Sequence, residues 1–460
     1  MARSSSSQSL DVTKGVIWRQ LAALFFPVLA GAVFQELYTL INAFVVGQYA
    51  SLASLGAIQA TATLTDLTIS VSVGMGMGCS VIVSQYFGAG DDRRLEQAVH
   101  TAAALSIVLG FAATIVGVMF AGPILRLMDT PADLLQESLN FVYVYFGSAM
   151  LPILFNMGSA LLRAVGNTRT PSRIIAFTCL INIALDLLLV VKLGMGARGA
   201  ALATAGAYLV GTVMVTAALV RARGPWRLRP AHIRINASIA RDMLICALPL
   251  AAQNAIFPLS NMVVQSTING FGSDTVIAGG LCGRIGSVAW LVSDAFAMAA
   301  TTFSAQNFGA GDYQRMKRGL HVSLVMATIG MALVEALICL NARELAWLFA
   351  NDSSIVRLTT WLILITVPFY IIFSYMDIIA GVIRGAGESL RPMLIIVLGT
   401  CVFRIAWMLF VVPRYHSIVT VMLAYPFTWT VTLVMFIFYY RHGNWLTRSL
   451  RSARHRRREV

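Results

Sequence analysis

The chain has 460 residues, of which 58% are hydrophobic and only 12% charged, with a formal net charge of +14; its mean hydropathy is +0.76. A soluble domain carries about a quarter charged residues, so this composition excludes an ordinary soluble enzyme and indicates an integral membrane protein. The six cysteines, Cys79, Cys179, Cys246, Cys282, Cys339 and Cys401, lie in apolar stretches at no metal-ligand spacing, which argues against a disulfide framework or a zinc site.

In chain order, Met1–Lys14 is Ser-rich and polar, without the apolar core of a signal peptide, and is expected to be a disordered cytosolic tail. About twelve apolar spans follow, near 17–46, 53–83, 98–121, 138–161, 172–191, 199–220, 242–268, 275–305, 319–340, 357–382, 393–413 and 418–440. Each is long enough for a hydrocarbon core of roughly 30 Å, which takes about 20 helical residues. Barrel strands show shorter alternating segments, so the fold class is an all-α polytopic membrane protein. Pro27 and Pro249, early in the first and seventh spans, each remove an i→i−4 bond and predict a helix bend. Gly74, Gly76 and Gly78 of the second span predict close helix packing rather than a phosphate loop. The polar stretch 221–241 is expected to connect an N-lobe (15–220) to a C-lobe (242–440), and 441–460 is a basic tail.

Loop charge predicts orientation. Arg93, Arg94, Arg163, Arg169, Arg173, the arginines of 221–234, Arg315, Lys317, Arg318, Arg384, Arg391 and the basic tail fall on one side. Lys192, Arg198, Arg343 and Arg357 fall on the other. The first side is expected to be cytosolic, with both termini inside. Orientation thus accounts for the basic balance, and no nucleic-acid partner is expected.

Phe87–Asp91 and Phe308–Asp312 carry the same pentapeptide, 221 positions apart, and the same offset joins Gln85 to Gln306, Arg94 to Arg315, His100 to His321, Arg163 to Arg384, Gly166 to Gly387 and Pro171 to Pro392. Six helices per half is an even number, so the halves are parallel repeats about an axis along the membrane normal, with a cleft between the two lobes. His100 and His321, at helix starts, are read as structural.

Leu162–Pro171, Ile383–Gly387, the block Asn182-Ile183-Ala184-Leu185-Asp186 and the following Gly199–Thr204, together with the paired pentapeptides, resemble the multidrug and toxic compound extrusion (MATE) family of cation-coupled exporters over about 15–440. The resemblance implies two six-helix lobes related by a pseudo-two-fold axis, a V-shaped central cleft, and export of cationic or amphipathic compounds in exchange for protons or sodium. It also implies no organic cofactor, a monomer, and a place in the bacterial cytoplasmic membrane. Matched residue by residue, the family's N-lobe site falls on Asn42, Asn156, Asn182, Asp186 and Thr204, with Asn42 where an Asp is usual. Its C-lobe acid falls on Asp377, while the seventh helix offers Gln253 and Asn254 and no acid.

Ionisable groups inside a span cost roughly 2.5–3.5 kcal/mol, and the spans contain Glu36, Asp66, Asp186, Arg284, Asp294, Glu335, Asp377 and Arg404. Asp186 leads, because Asn182 precedes it by one helical turn on the same face. There it can carry a proton, or join the amides and Thr204 in giving oxygens to sodium. Asp377 is either a second coupling or substrate-cation site or half of an ion pair with Arg404 in the next helix. Glu36, beside Gln35, is a candidate for drawing cationic compounds into the cleft. Gly88-Ala89-Gly90-Asp91 superficially matches an intramembrane aspartyl protease motif, but it lies in a charged loop. No Walker, His-Glu-x-x-His or Gly-x-Ser-x-Gly motif appears, so the chain is expected not to be an enzyme. A lipid-linked precursor flippase, an exporter of one specific metabolite, and a non-transporting scaffold or channel are the alternatives.

Overall fold

The computed structural model describes residues 9–49, 51–127 and 130–458, which are helical throughout apart from turns and short connections. The helices are α1 (Ile17–Tyr49), α2 (Leu52–Ala89), α3 (Asp92–Leu127), α4 (Ala132–Gly147), α5 (Met150–Ala164), α6 (Arg169–Asp186), α7 (Gly196–Val220), α8 (Ala237–Asn269) and α9 (Ser273–Ala310). There follow α10 (Tyr313–Leu340), α11 (Ala342–Trp347), α12 (Ser353–Thr366), α13 (Tyr370–Gly385), α14 (Leu390–Ile396), α15 (Phe403–Phe410), α16 (Ile418–His442) and α17 (Trp445–Arg458). Two π-helical segments, Leu187–Lys192 and Val397–Val402, continue α6 and α14. Among the described residues, 11 helical stretches are long and apolar enough to cross a membrane, and α4 with α5, bent by 44° where they meet, makes 12. Each expected span has its counterpart, and α1 and α8 run unbroken past Pro27 and Pro249.

The duplicated pentapeptide is a helix stop joined to a helix start. Gly90 and Gly311 cap α2 and α9 in the left-handed conformation, at φ 70° and 79°, where a Cβ is disfavoured. The next residue then begins a helix: Asp91 Oδ1 accepts from the Arg94 N–H at 3.0 Å, and Asp312 Oδ1 from the Arg315 N–H at 2.8 Å. This satisfies one of the orphan donors at each helix start. Gly74 and Gly78 serve close approach, as expected. A Cβ on them would lie 2.7 Å from the Cα of Ala251 and 2.2 Å from the Cα of Ala247.

Two compact units result. The first holds the described residues up to Asp11 and Ala30–Ala251; the second holds Val12–Leu29 and the described residues from Ala252 onward. These limits differ from the lobe boundaries expected at the polar connector. They fall inside α1 and α8, two residues after Pro27 and two after Pro249, so each repeat's first helix is divided at an equivalent place.

The connector packs within the first unit. Trp226 is buried against Phe87, the Arg229 N–H donates to His100 Nε2 at 3.0 Å, and the Asn236 N–H donates to Thr101 Oγ1 at 3.2 Å. His100 therefore has a structural task, holding the connector on α3. The N-terminal segment also differs from the disordered tail expected for Met1–Lys14. Residues 1–8 lie outside the described residues, but Val12 is fully buried in the second unit. Its N–H donates to Gln306 Oε1 at 3.1 Å, and its carbonyl accepts from Arg315 Nε at 3.2 Å. The reason is chemical: the segment's backbone groups hydrogen-bond to side chains of α9 and α10. The basic tail begins as α17, with Trp445 stacked on Tyr440 at 5.2 Å.

Candidate functional site

In the first unit α6 ends at Asp186 and widens into the π-helical segment Leu187–Lys192. Such widening frees ladder groups and often marks a functional place in a helix. Asp186 is 1% and Asn182 2% exposed. Among the described residues neither carboxylate oxygen of Asp186, and neither amide atom of Asn182, has a hydrogen-bond partner. A buried polar group left open costs about 1–3 kcal/mol, so the pair is incomplete without a proton, water or cation.

Beside it lies a cavity of about 50 Å³ whose lining includes Gln35, Tyr38, Asn156, Asn182, Thr204 and Tyr208. That is room for a water or a bare cation, since one water occupies about 30 Å³. The Tyr38 hydroxyl accepts from Asn42 Nδ2 at 3.3 Å and is hydrogen-bonded to Thr204. Asn156, Asn182 and Thr204 thus share one cavity, Asn42 joins them through Tyr38, and Asp186 sits one turn beyond Asn182. Gln35 also lines the cavity, and Glu36, half-buried on α1, does not. Sequence reasoning missed Tyr38 and Tyr208. The available signal was helical spacing, since Tyr38 lies four residues before Asn42 and Tyr208 four after Thr204.

In the second unit the Asp377–Arg404 ion pair, one of the two alternatives for Asp377, is not formed among the described residues. Asp377 instead faces Arg384 of its own helix at 3.5 Å. Arg384 also donates to Gln253 Oε1 of α8 at 2.9 Å, and Asp294 of α9 acts on the same guanidinium. Arg384 had been counted with the cytosolic loop charges, yet it is 4% exposed inside α13. The physical reason is that Asp377, two helical turns earlier on the same face, keeps it within the bundle. Asn254 follows Gln253 on α8. Arg404 is 1% exposed and donates from Nη1 to Asn261 Oδ1 at 2.9 Å.

The family model MatE matches residues 27–188 and again 249–409, one match per repeat. The chain is 26% identical over 440 residues to the probable multidrug resistance protein YoeA of Bacillus subtilis, covering 93% of this chain and 94% of that protein. It is 27% identical over 361 residues to an FAD transporter of Shewanella oneidensis, covering 76% and 78%. The solved outward-facing structure of a multidrug resistance MATE family transporter of the MOP superfamily superposes with a TM-score of 0.90 at 19% identity, over 97% of this chain and all of that one. This last likeness bears on the fold alone. Two family matches in one polytopic helical chain leave no room for an enzyme: the chain belongs to the MatE family of multi-pass membrane transporters.

Proposed function

We propose that this transporter exports cationic or amphipathic compounds by alternating access, in exchange for protons or sodium ions taken up at Asp186. The observation that carries the reading is the sequestered Asp186–Asn182 pair, without hydrogen-bond partners among the described residues, beside a small cavity lined by both polar and apolar side chains. The drug-resistance name of the B. subtilis relative supports drug-like cargo. The relatives compared above are named for drug resistance or FAD, which does not favour a lipid-linked precursor flippase.

A proton reaching Asp186 neutralises it, whereas sodium would draw its remaining oxygens from Asn182, Asn156 and Thr204. No cluster of three or more His, Cys, Asp or Glu converges among the described residues, so amide and hydroxyl oxygens would have to complete such a shell. Tyr38, bonded to both Asn42 and Thr204, is the group through which α1 senses that event. One charge moving inward gains about 2.3 kcal/mol per 100 mV, which sustains roughly a 50-fold gradient of an uncharged cargo; a cargo that carries one positive charge outward cancels that gain and is driven by the ion's concentration gradient. The protein acts as a monomer in the bacterial cytoplasmic membrane, with both termini cytosolic.

The test is dye efflux from reconstituted vesicles with proton and sodium gradients imposed separately. Asp186→Asn is expected to abolish gradient-driven efflux while the protein still inserts and folds. Undiminished efflux by that variant removes Asp186 from the mechanism.

A further inference from the structure

Arg404 is an uncompensated charge. Its guanidinium is always protonated, yet it is 99% buried, and its Nε and Nη2 have no hydrogen-bond partner among the described residues. The acids inside the spans of the same unit are engaged elsewhere. Asp377 and Asp294 act on Arg384, and Glu335 accepts from the backbone N–H of Ile371. What surrounds Arg404 is aromatic: its guanidinium carbon lies 4.4 Å from the ring centroid of Tyr425 and 5.8 Å from that of Phe257. Tyr425 in turn packs edge-on to Trp429 at 5.7 Å. Trp429 is 1% exposed, and its Nε1–H is also without a partner.

Every orphaned group in this corner named above is a donor. Nε and Nη2 form the side-on edge of the fork, the edge that grips a carboxylate or phosphate with two parallel bonds. Stacking on Tyr425 and Phe257 offsets part of the cost of burying the charge, but it leaves those N–H groups open. Nε and Nη2 are themselves closed to solvent, while Asn261 beside them is exposed and Phe257 and Tyr425 are half-buried, so a ligand reaches the edge by displacing that rim.

We propose that the second unit contains an oxyanion seat at Arg404, formed with Trp429, Tyr425 and Phe257, which takes an aromatic compound bearing a carboxylate or phosphate. The oxyanion lies on the Nε–Nη2 edge and the ring of the ligand on the aromatic wall. Calling that ligand a cargo rests on the transport function proposed above; the seat itself does not. It sets the cargo as amphipathic molecules with an acidic group, in addition to cationic ones.

The test is equilibrium dialysis of the full chain in neutral-lipid nanodiscs, without any gradient. The probes are 1-naphthoate, 1-naphthyl phosphate, the uncharged 1-naphthalenemethanol and inorganic phosphate alone. At least one naphthyl oxyanion is expected to bind about tenfold or more tighter than the alcohol, the scale of a charge-assisted hydrogen bond. Inorganic phosphate, lacking the ring, is expected to bind weakly. Arg404→Met is expected to abolish the preference for the oxyanion while leaving the melting temperature of the ligand-free protein unchanged or raised, because it removes an unpaired buried charge. Arg404→Lys, which keeps the charge but not the fork, is expected to lose most of the affinity. Equal binding of the alcohol and both oxyanions by the unmodified protein overturns the seat, as does an Arg404→Met variant that keeps the preference. Asp186→Asn is expected to retain the naphthyl oxyanion affinity, so failure of ion coupling and failure of the seat are read separately.

Discussion

At the scale of single residues, two buried arginines of the second unit differ: Arg384 has an acidic partner in Asp377, and Arg404 forms no ion pair among the described residues. Asp377 and Arg384 have side chains 15% and 5% exposed and lie 3.5 Å apart, so removing Asp377 takes a buried counter-charge from Arg384 and leaves it with Gln253 and Asp294. Asp377→Asn is expected to cost about 3–5 kcal/mol, the usual penalty for breaking a buried pair, with much of it recovered in Asp377→Asn combined with Arg384→Met. Thermal unfolding of the purified variants measures this, and an Asp377→Asn melting temperature equal to that of the parent would show the pair to be dispensable. In the first unit, Tyr38→Phe deletes one hydroxyl that serves both Asn42 and Thr204. Loss of about 0.5–1.5 kcal/mol of hydrogen bonding predicts a fall in coupled efflux of roughly two- to tenfold with the fold intact; unchanged efflux would relieve Tyr38 of any part in sensing the ion. The Asp186–Asn182 pair was legible in the sequence because both members sit on one helix at one-turn spacing. For Tyr38 only the one-turn spacing to Asn42 was legible, since its other partner, Thr204, comes from a helix far along the chain. Arg384 was misplaced for a related reason. Its motif ends in a glycine turn and reads as a loop, whereas Gln253, on another helix, and Asp377 hold it inside.

Elements repeat that contrast between local and distant causes. The cap at Gly90–Asp91 and its copy at Gly311–Asp312 were visible as a repeated string, because a left-handed glycine followed by a capping Asp is local chemistry. The bend between α4 and α5 and the π-helical segments were not visible, since each depends on which neighbour the helix meets. The glycines of α2 lie between these cases: sequence indicated close packing, and only the fold names Ala247 and Ala251 as the surface approached. Gly78→Leu should therefore be severe. Its Cβ would sit 2.2 Å from the Cα of Ala247, and backbone cannot yield as a flexible side chain does, so the cost should reach or exceed the roughly 1–3 kcal/mol of ordinary overpacking. Gly47→Ala on α1, where a Cβ meets nothing within 4 Å, should instead gain up to about 1 kcal/mol, as expected for relieving a helix-interior glycine. Expression and melting temperature of the two variants check this, and a harmless Gly78→Leu would show that α2 and α8 do not pack as described.

For the whole molecule, composition and the 221-residue repeat were enough for a duplicated twelve-span helical bundle, and the motif resemblance added transport. Composition and the repeat place a lobe boundary at the polar connector, the obvious break in the sequence, whereas the compact units divide elsewhere. Compactness follows contacts instead: the connector docks on α3, and the units divide after Pro27 and Pro249. Orientation is a further whole-molecule property, and it rests on loop charge alone. Three of the membrane-crossing stretches separate Asn351 from Thr447: Ser353–Gly385, Leu390–Phe410 and Ile418–His442. An odd number of crossings places these two exposed residues on opposite faces, and the basic α17 assigns Thr447 to the cytosol. Five of the six cysteines are buried and Cys339 is partly so, so a Cys339→Ala background carrying either Asn351→Cys or Thr447→Cys suits labelling with a membrane-impermeant maleimide. Asn351→Cys is expected to label in intact cells and Thr447→Cys only after lysis. The reverse pattern would invert the orientation, and with it the direction in which an ion reaching Asp186 drives cargo; labelling of both in intact cells would break the count of crossings itself.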